Sequence, residues 1–277
     1  MNISYDGHIH SPYCPHGSTD KFEAYVEAAI KFGYKGMTFT EHAPLPLDFI
    51  DPVPEHDSGM KREYLSAYFH TIQELKEKYS GVMTIQCGLE VDYIEGFEED
   101  TKQFLDKVGP QLDDAILSVH FIKHNDQYTC LDYSTESFNE LIHSLGSIEM
   151  VHQKYYETVL KSITSNLGKY KPTRIGHITL TNKFQKRYPF KGKFENQISK
   201  LLDSVKMKGY SLDYNGAGTV KPDCGEPYPP DWVIKEAIKR EIPLVYGSDA
   251  HSSKGIGQGA NSLTTHLLSY PDKLNRS

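Results

Sequence analysis

The stretch Asp6–His16, DGHIHSPYCPH, places three histidines within nine residues, two of them flanking a single isoleucine. On an extended strand residues i and i+2 face the same side, so His8 and His10 present two imidazoles together. Imidazole is the commonest metal-ligating side chain. A chance cluster is the competing reading; an expression tag fits poorly, because tag histidines run consecutively without interleaved Gly, Ile, Pro and Cys. The rest of the chain decides. If this stretch is a strand end in a metal site, other strands should also end on ligand-type residues.

Strand-like runs occur at residues 3–10, 36–42, 83–91, 115–121, 174–180, 210–215 and 242–251, each short, β-branched or aromatic, and bounded by Gly, Pro or polar turns. Helical patterns lie between them. In residues 19–33 a stripe of Phe22, Tyr25, Val26, Ala29 and Ile30 is opened by Thr19 or Asp20 as a cap and closed by Gly33. Residues 60–79 repeat the pattern with Tyr64, Leu65, Tyr68, Ile72 and Leu75, and further helices are expected at 97–108, 136–145, 147–167, 193–208 and 230–240. Alternating strand and helix predicts an α/β fold with a parallel sheet, and seven repeats favour a closed (β/α) barrel. The 277 residues suit one domain spanning 1–277.

The ends of these strands carry the chemistry. The first holds His8 and His10, the second ends on Glu41 and His42, and the third carries Glu90. The fourth ends on His120, the fifth holds His177, and the last ends on Asp249 and His251. In a parallel barrel all C-terminal strand ends meet at one rim, where active sites are built. Of thirteen histidines, seven lie at strand ends or just after the first strand. The other six (His56, His70, His124, His143, His152 and His266) fall in helices or loops and read as surface or packing residues. Buried imidazoles around two carboxylates need a partner. Nine nitrogen and oxygen donors exceed the four of a tetrahedral zinc and suit two or three ions with a bridging carboxylate.

Composition limits the function. Hydrophobic residues are 38% and charged residues 24% of the chain, and no apolar run reaches 18 residues, so no transmembrane helix is expected. The N-terminus shows neither the basic start nor the apolar core of a signal peptide, which predicts a cytoplasmic protein. Cys14, Cys87, Cys130 and Cys224 form no CxxC pair and read as free thiols, with Cys14 inside the histidine cluster a minor ligand candidate. The net charge of −7, without a Lys/Arg block, predicts no nucleic-acid partner. Oligomeric state is not legible. GIGQGA (255–260) lacks a following Lys-Ser/Thr pair and reads as a turn.

The ordered motifs HxH, TEH, GLE, SVH, GH and SDAH resemble the polymerase and histidinol phosphatase (PHP) family over residues 6 to about 260. DGHIHSPYCPHG, TFTEHAPLP, GLEVDYI, GPQLDDAILSVHF, YKPTRIGHITL and PLVYGSDAH are similar to its monofunctional histidinol-phosphate phosphatases. The resemblance implies a distorted, TIM-barrel-like (β/α)7 barrel with three divalent ions (Zn, Fe or Mn) at the C-terminal strand ends. One ion would take His8, His10, Glu90 and Asp249. A second would share Glu90 and add His120 and His177, and a third would take His16, His42 and His251. It also implies hydrolysis of L-histidinol phosphate in histidine biosynthesis. Chemically, a bridging hydroxide would attack phosphorus in line. Asp249 or Glu41 would protonate the leaving alkoxide, unless Glu41 is an orienter of His42 or itself a ligand. For the substrate, Arg174 is expected on phosphate, with a surface salt bridge the competing reading. Lys221 is expected on phosphate, Asn215 near it, and Tyr128 on imidazole or phosphate. Asp92 either meets the ammonium or lies outside the pocket. Two competing functions remain: action on another phosphomonoester or on nucleic-acid ends, and non-catalytic metal storage.

Overall fold

The computed structural model describes residues 3–263 and 268–271; His266 lies outside the described residues. Seven strands form one parallel sheet: β1 (Tyr5–Ile9), β2 (Gly36–His42), β3 (Thr84–Asp92), β4 (Asp114–Ser118), β7 (Arg174–Ile175), β8 (Ser211–Asn215) and β9 (Leu244–Gly247). Their spatial order is β1-β2-β3-β4-β7-β8-β9. The edges β1 and β9 approach through a bridge from Ile9 to Ala250. There Asp249 N–H donates to His8 O at 2.7 Å and His10 N–H donates to Ala250 O at 3.0 Å. The barrel is thus nearly closed, and its seam runs through the histidine stretch and the Asp249 turn.

Helices α1 (Phe22–Phe32), α2 (Leu65–Lys78), α3 (Glu98–Val108), α4 (Thr135–Leu145), α5 (Ile148–Thr164), α6 (Glu195–Lys208) and α7 (Asp231–Lys239) follow the strands in turn. Their apolar stripes join one core around the sheet; Tyr25, Val26 and Ala29 of α1 are fully buried. Gly33 ends α1 with φ of 86°, a left-handed conformation glycine adopts freely. The start of α1 differs from expectation. Lys21 occupies the N-cap position without a side-chain cap. Asp20 instead accepts from Ser253 N–H at 2.9 Å and Ser253 Oγ at 2.7 Å. It anchors the loop after β9 rather than the helix.

Three local departures have physical causes. The strand expected at 174–180 is regular only over Arg174–Ile175. Gly176 still pairs with Leu117, but a Cβ there would lie 2.0 Å from Ser118 Oγ, and the chain turns at His177, whose carbonyl accepts from Leu180 N–H. The strand expected to reach His251 stops at Gly247, because Asp249 turns with φ of 55°. A two-stranded hairpin, β5 (Phe121–His124) with β6 (Gln127–Cys130), was not anticipated. Its turn residues Asn125 and Asp126 both have positive φ, as a type I′ turn requires.

Candidate metal centre

Glu90 is 1% exposed near the end of β3, and its two oxygens face different histidines. Oε2 lies 3.3 Å from His8 Nε2, 3.5 Å from His10 Nε2 and 3.2 Å from His42 Nδ1. Oε1 lies 3.0 Å from His177 Nε2 and 3.8 Å from His120 Nε2, and accepts from Ser118 Oγ at 2.6 Å. Asp249 completes the first side: its Oδ1 is 3.1 Å from His10 Nε2 and 3.7 Å from His8 Nε2. His8, His10 and Asp249 therefore form one donor cluster, and Glu90, His120 and His177 another. On the outer side the His16 ring lies 5.2 Å from the rings of both His42 and His251. All nine expected metal-type residues converge.

The far sides of the rings fix their orientation. His8 donates Nδ1–H to Asp213 at 2.8 Å, His120 to Asp92 at 2.8 Å, and His10 to Glu41 at 3.3 Å. His16 and His251 donate Nδ1–H to the carbonyls of Asp57 and Asp249. Five of the seven imidazoles are anchored through Nδ1, which turns Nε2 toward the cluster, the arrangement that metal-bound histidines take from surrounding carboxylates and carbonyls. Nε2 of His8 and His10 and Nδ1 of His42 are buried without a hydrogen-bond partner. Such orphaned atoms, converging on two carboxylates, fit divalent cations.

Burial opposes charge on His8, but the carboxylates of Asp213, Glu90 and Asp249 outweigh it and raise its pKa to about 10. Burial likewise opposes charge on His120, and Asp92 raises it to about 10. Burial works against ionised Glu90 and Asp249, yet neighbouring histidines hold both well below the usual carboxylate range. With pKa values raised to about 10, both imidazoles hold a second ring proton at pH 7 before metal binds, and a ligand must be neutral. Metal binding therefore releases protons, and affinity rises as pH climbs from 7 toward 10. Calorimetric titration in two buffers of different ionisation enthalpy should give different apparent enthalpies; identical values would exclude this proton inventory.

The clusters floor a cavity of about 570 Å³, a size suited to a small ligand. Its wall includes Lys221, as expected, and Lys183, which sequence reading missed. Lys183 follows the turn after His177 and pairs with Asp132 at 2.9 Å. Burial opposes its charge, but Asp132 keeps its pKa raised. Glu55 and Asp57 occupy the rim.

Several expected site residues have other places. Arg174 is 2% exposed inside the barrel, absent from the cavity wall, and pairs with Asp114 and the Gly7 carbonyl. It lines no part of the cavity, and its ion pair is buried rather than at the surface. Its Nη1 lies 3.8 Å from Asp213, so it sits one residue removed from His8. Tyr128 on β6 donates its hydroxyl to Glu95 O at 2.7 Å and packs against Phe49, away from the cavity. Asn215 is fully buried and donates to Asp249 Oδ2 at 3.1 Å, orienting that carboxylate rather than substrate. Glu41 is sealed from the cavity, accepting from Ser11 N–H and His42 N–H besides His10. It is an orienter, chiefly of the His10 ring, and has no path to a leaving group. Asp92 lines the cavity rather than lying outside it, and its carboxylate is the partner of the His120 ring. The 255–260 segment is a turn whose Gln258 donates to Ser248 O at 2.6 Å, bracing the Asp249 turn.

Comparison with known proteins agrees with this geometry. The PHP domain matches residues 6–217. The histidinol-phosphatase of Bacillus subtilis is 48% identical over 91% of this chain and 95% of its own length. A Deinococcus radiodurans protein assigned the same activity is 32% identical over 91% and 88%. The crystal structure of a Listeria monocytogenes protein assigned as the histidinol phosphatase HisK superposes with a TM-score of 0.91 at 37% identity, covering 94% of this chain and all of that one. Histidinol phosphate phosphatase of Lactococcus lactis, solved with zinc, L-histidinol and phosphate, shares the fold with a TM-score of 0.74 at 21% identity, over 99% of both chains. The chain belongs to the PHP family, in its histidinol-phosphatase branch.

Proposed function

We propose that this chain hydrolyses L-histidinol phosphate to L-histidinol and phosphate in the strand-end cavity. Divalent ions would be held by His8, His10, Glu90 and Asp249, by Glu90, His120 and His177, and by His16, His42 and His251. The observation that carries the reading is Glu90, one carboxylate offering an oxygen to each of two imidazole clusters on the cavity floor. Ions in such a site supply charge for phosphoryl oxygens and acidify water. Zinc, iron and manganese all accept imidazole and carboxylate donors, and zinc is the first to test.

The chain's own residues do the rest. Lys183 and Lys221 offer cations to the phosphate, while Glu55 and Asp57 on the rim complement the substrate ammonium. A cavity lined by both cations and carboxylates suits a small zwitterion better than a long polyanion. Asp249 is ionised, with Asn215 on Oδ2, so it accepts a proton rather than donating one. All four cysteines are free and buried, which suits the reducing cytoplasm, and no helix among the described residues is long and apolar enough to cross a membrane.

The test is phosphate release by metal-loaded protein from L-histidinol phosphate against p-nitrophenyl phosphate. The natural ester should turn over far faster. Lys183→Met should lower kcat/KM by about a hundredfold at unchanged metal content, and Lys183→Arg should retain most activity. Equal turnover of both esters would remove the substrate assignment.

A further inference from the structure

Cys14 has no role in the scheme above, yet the loop after β1 delivers it to the metal-type residues. It is 5% exposed; its N–H donates to Ser11 O at 3.0 Å and its carbonyl accepts from Gly17 N–H at 3.1 Å. The turn is tight around it: a Cβ on Gly17 would lie 2.9 Å from Cys14 Cβ and 3.4 Å from its sulfur. Packed this way, the buried sulfur lies beside the imidazoles of His10, His42 and His251.

The grouping is that of a ligand set. Cys14 Sγ and one ring nitrogen from each of His10, His42 and His251 all lie within 4.8 Å of one another. Two of these imidazoles, His10 and His42, are more than nine-tenths buried and carry nitrogens without a hydrogen-bond partner. The other cysteines join no such cluster among the described residues. His16, more exposed, keeps its ring 5.2 Å from those of His42 and His251 and borders the same set.

We propose that Cys14 is a thiolate ligand of the ion held by His42 and His251, making this a sulfur–nitrogen position rather than an all-imidazole one. The inference rests on the metal-centre reading above. On binding, the sulfur–hydrogen bond breaks, the sulfur–metal bond forms, and the proton leaves to solvent with no change of oxidation state. A soft thiolate would bias this position toward zinc, iron(II) or cobalt(II) and away from manganese or magnesium.

The test uses full-length protein stripped of metal and reloaded with cobalt(II) alone, with bound cobalt counted. Wild type should show a near-ultraviolet thiolate-to-cobalt charge-transfer band. A variant with Cys87, Cys130 and Cys224 all changed to serine should keep it, and Cys14→Ser should lose it while still binding cobalt at the other positions. The triple variant tests Cys14 even if Cys14→Ser folds poorly. Cobalt bound without the band in wild type, or a band that survives Cys14→Ser, would overturn the thiolate and leave the metal centre standing. No cobalt bound at all would overturn both.

Discussion

Glu90→Gln should lower turnover of L-histidinol phosphate by about a thousandfold and reduce bound metal. The change keeps the shape of the side chain and removes its charge. That charge faces His8, His10 and His42 through one oxygen and His120 and His177 through the other. An amide has only one acceptor oxygen, so it can serve one cluster but not both. The expected loss corresponds to about 4 kcal/mol of transition-state stabilisation, within the several kcal/mol that metal charge supplies. Steady-state phosphate release with elemental analysis of the same sample checks this. Wild-type turnover at full metal occupancy would show that Glu90 does not join the clusters.

Arg174→Met should cost about 3–5 kcal/mol of folding stability, lowering Tm by about 10 °C, with only a secondary effect on activity. Asp114 is buried, and desolvation already raises its pKa to about 6 despite Arg174. Without the guanidinium it is a buried charge with no ionic partner. Adding Asp114→Leu should restore much of the loss, because an apolar pair of similar volume removes the uncompensated charge. Thermal melts of the single and double variants decide. An unchanged Tm with abolished turnover would return Arg174 to the phosphate.

The metal-type residues were legible because a parallel barrel sends every strand end to one rim, so strand boundaries alone bring His8, Glu90 and Asp249 together. Arg174 could have been excluded by the same geometry: three residues before His177 is about 10 Å down the strand, below the rim. Asp213 left a usable signal, a carboxylate in the middle of a fully buried strand, which needs a buried partner and finds His8. Lys183 left none, because an irregular turn sets its direction. Tyr128 was misplaced because an Asn-Asp turn, less telling than Asn-Gly, concealed the hairpin whose packing turns its hydroxyl toward Glu95.

The most direct measurement strips the protein with a chelator and follows phosphate release from L-histidinol phosphate as zinc or manganese is added back, with bound metal counted at each step. The account predicts no turnover without metal and recovery that saturates near three ions per chain. Full turnover in the stripped protein would contradict it.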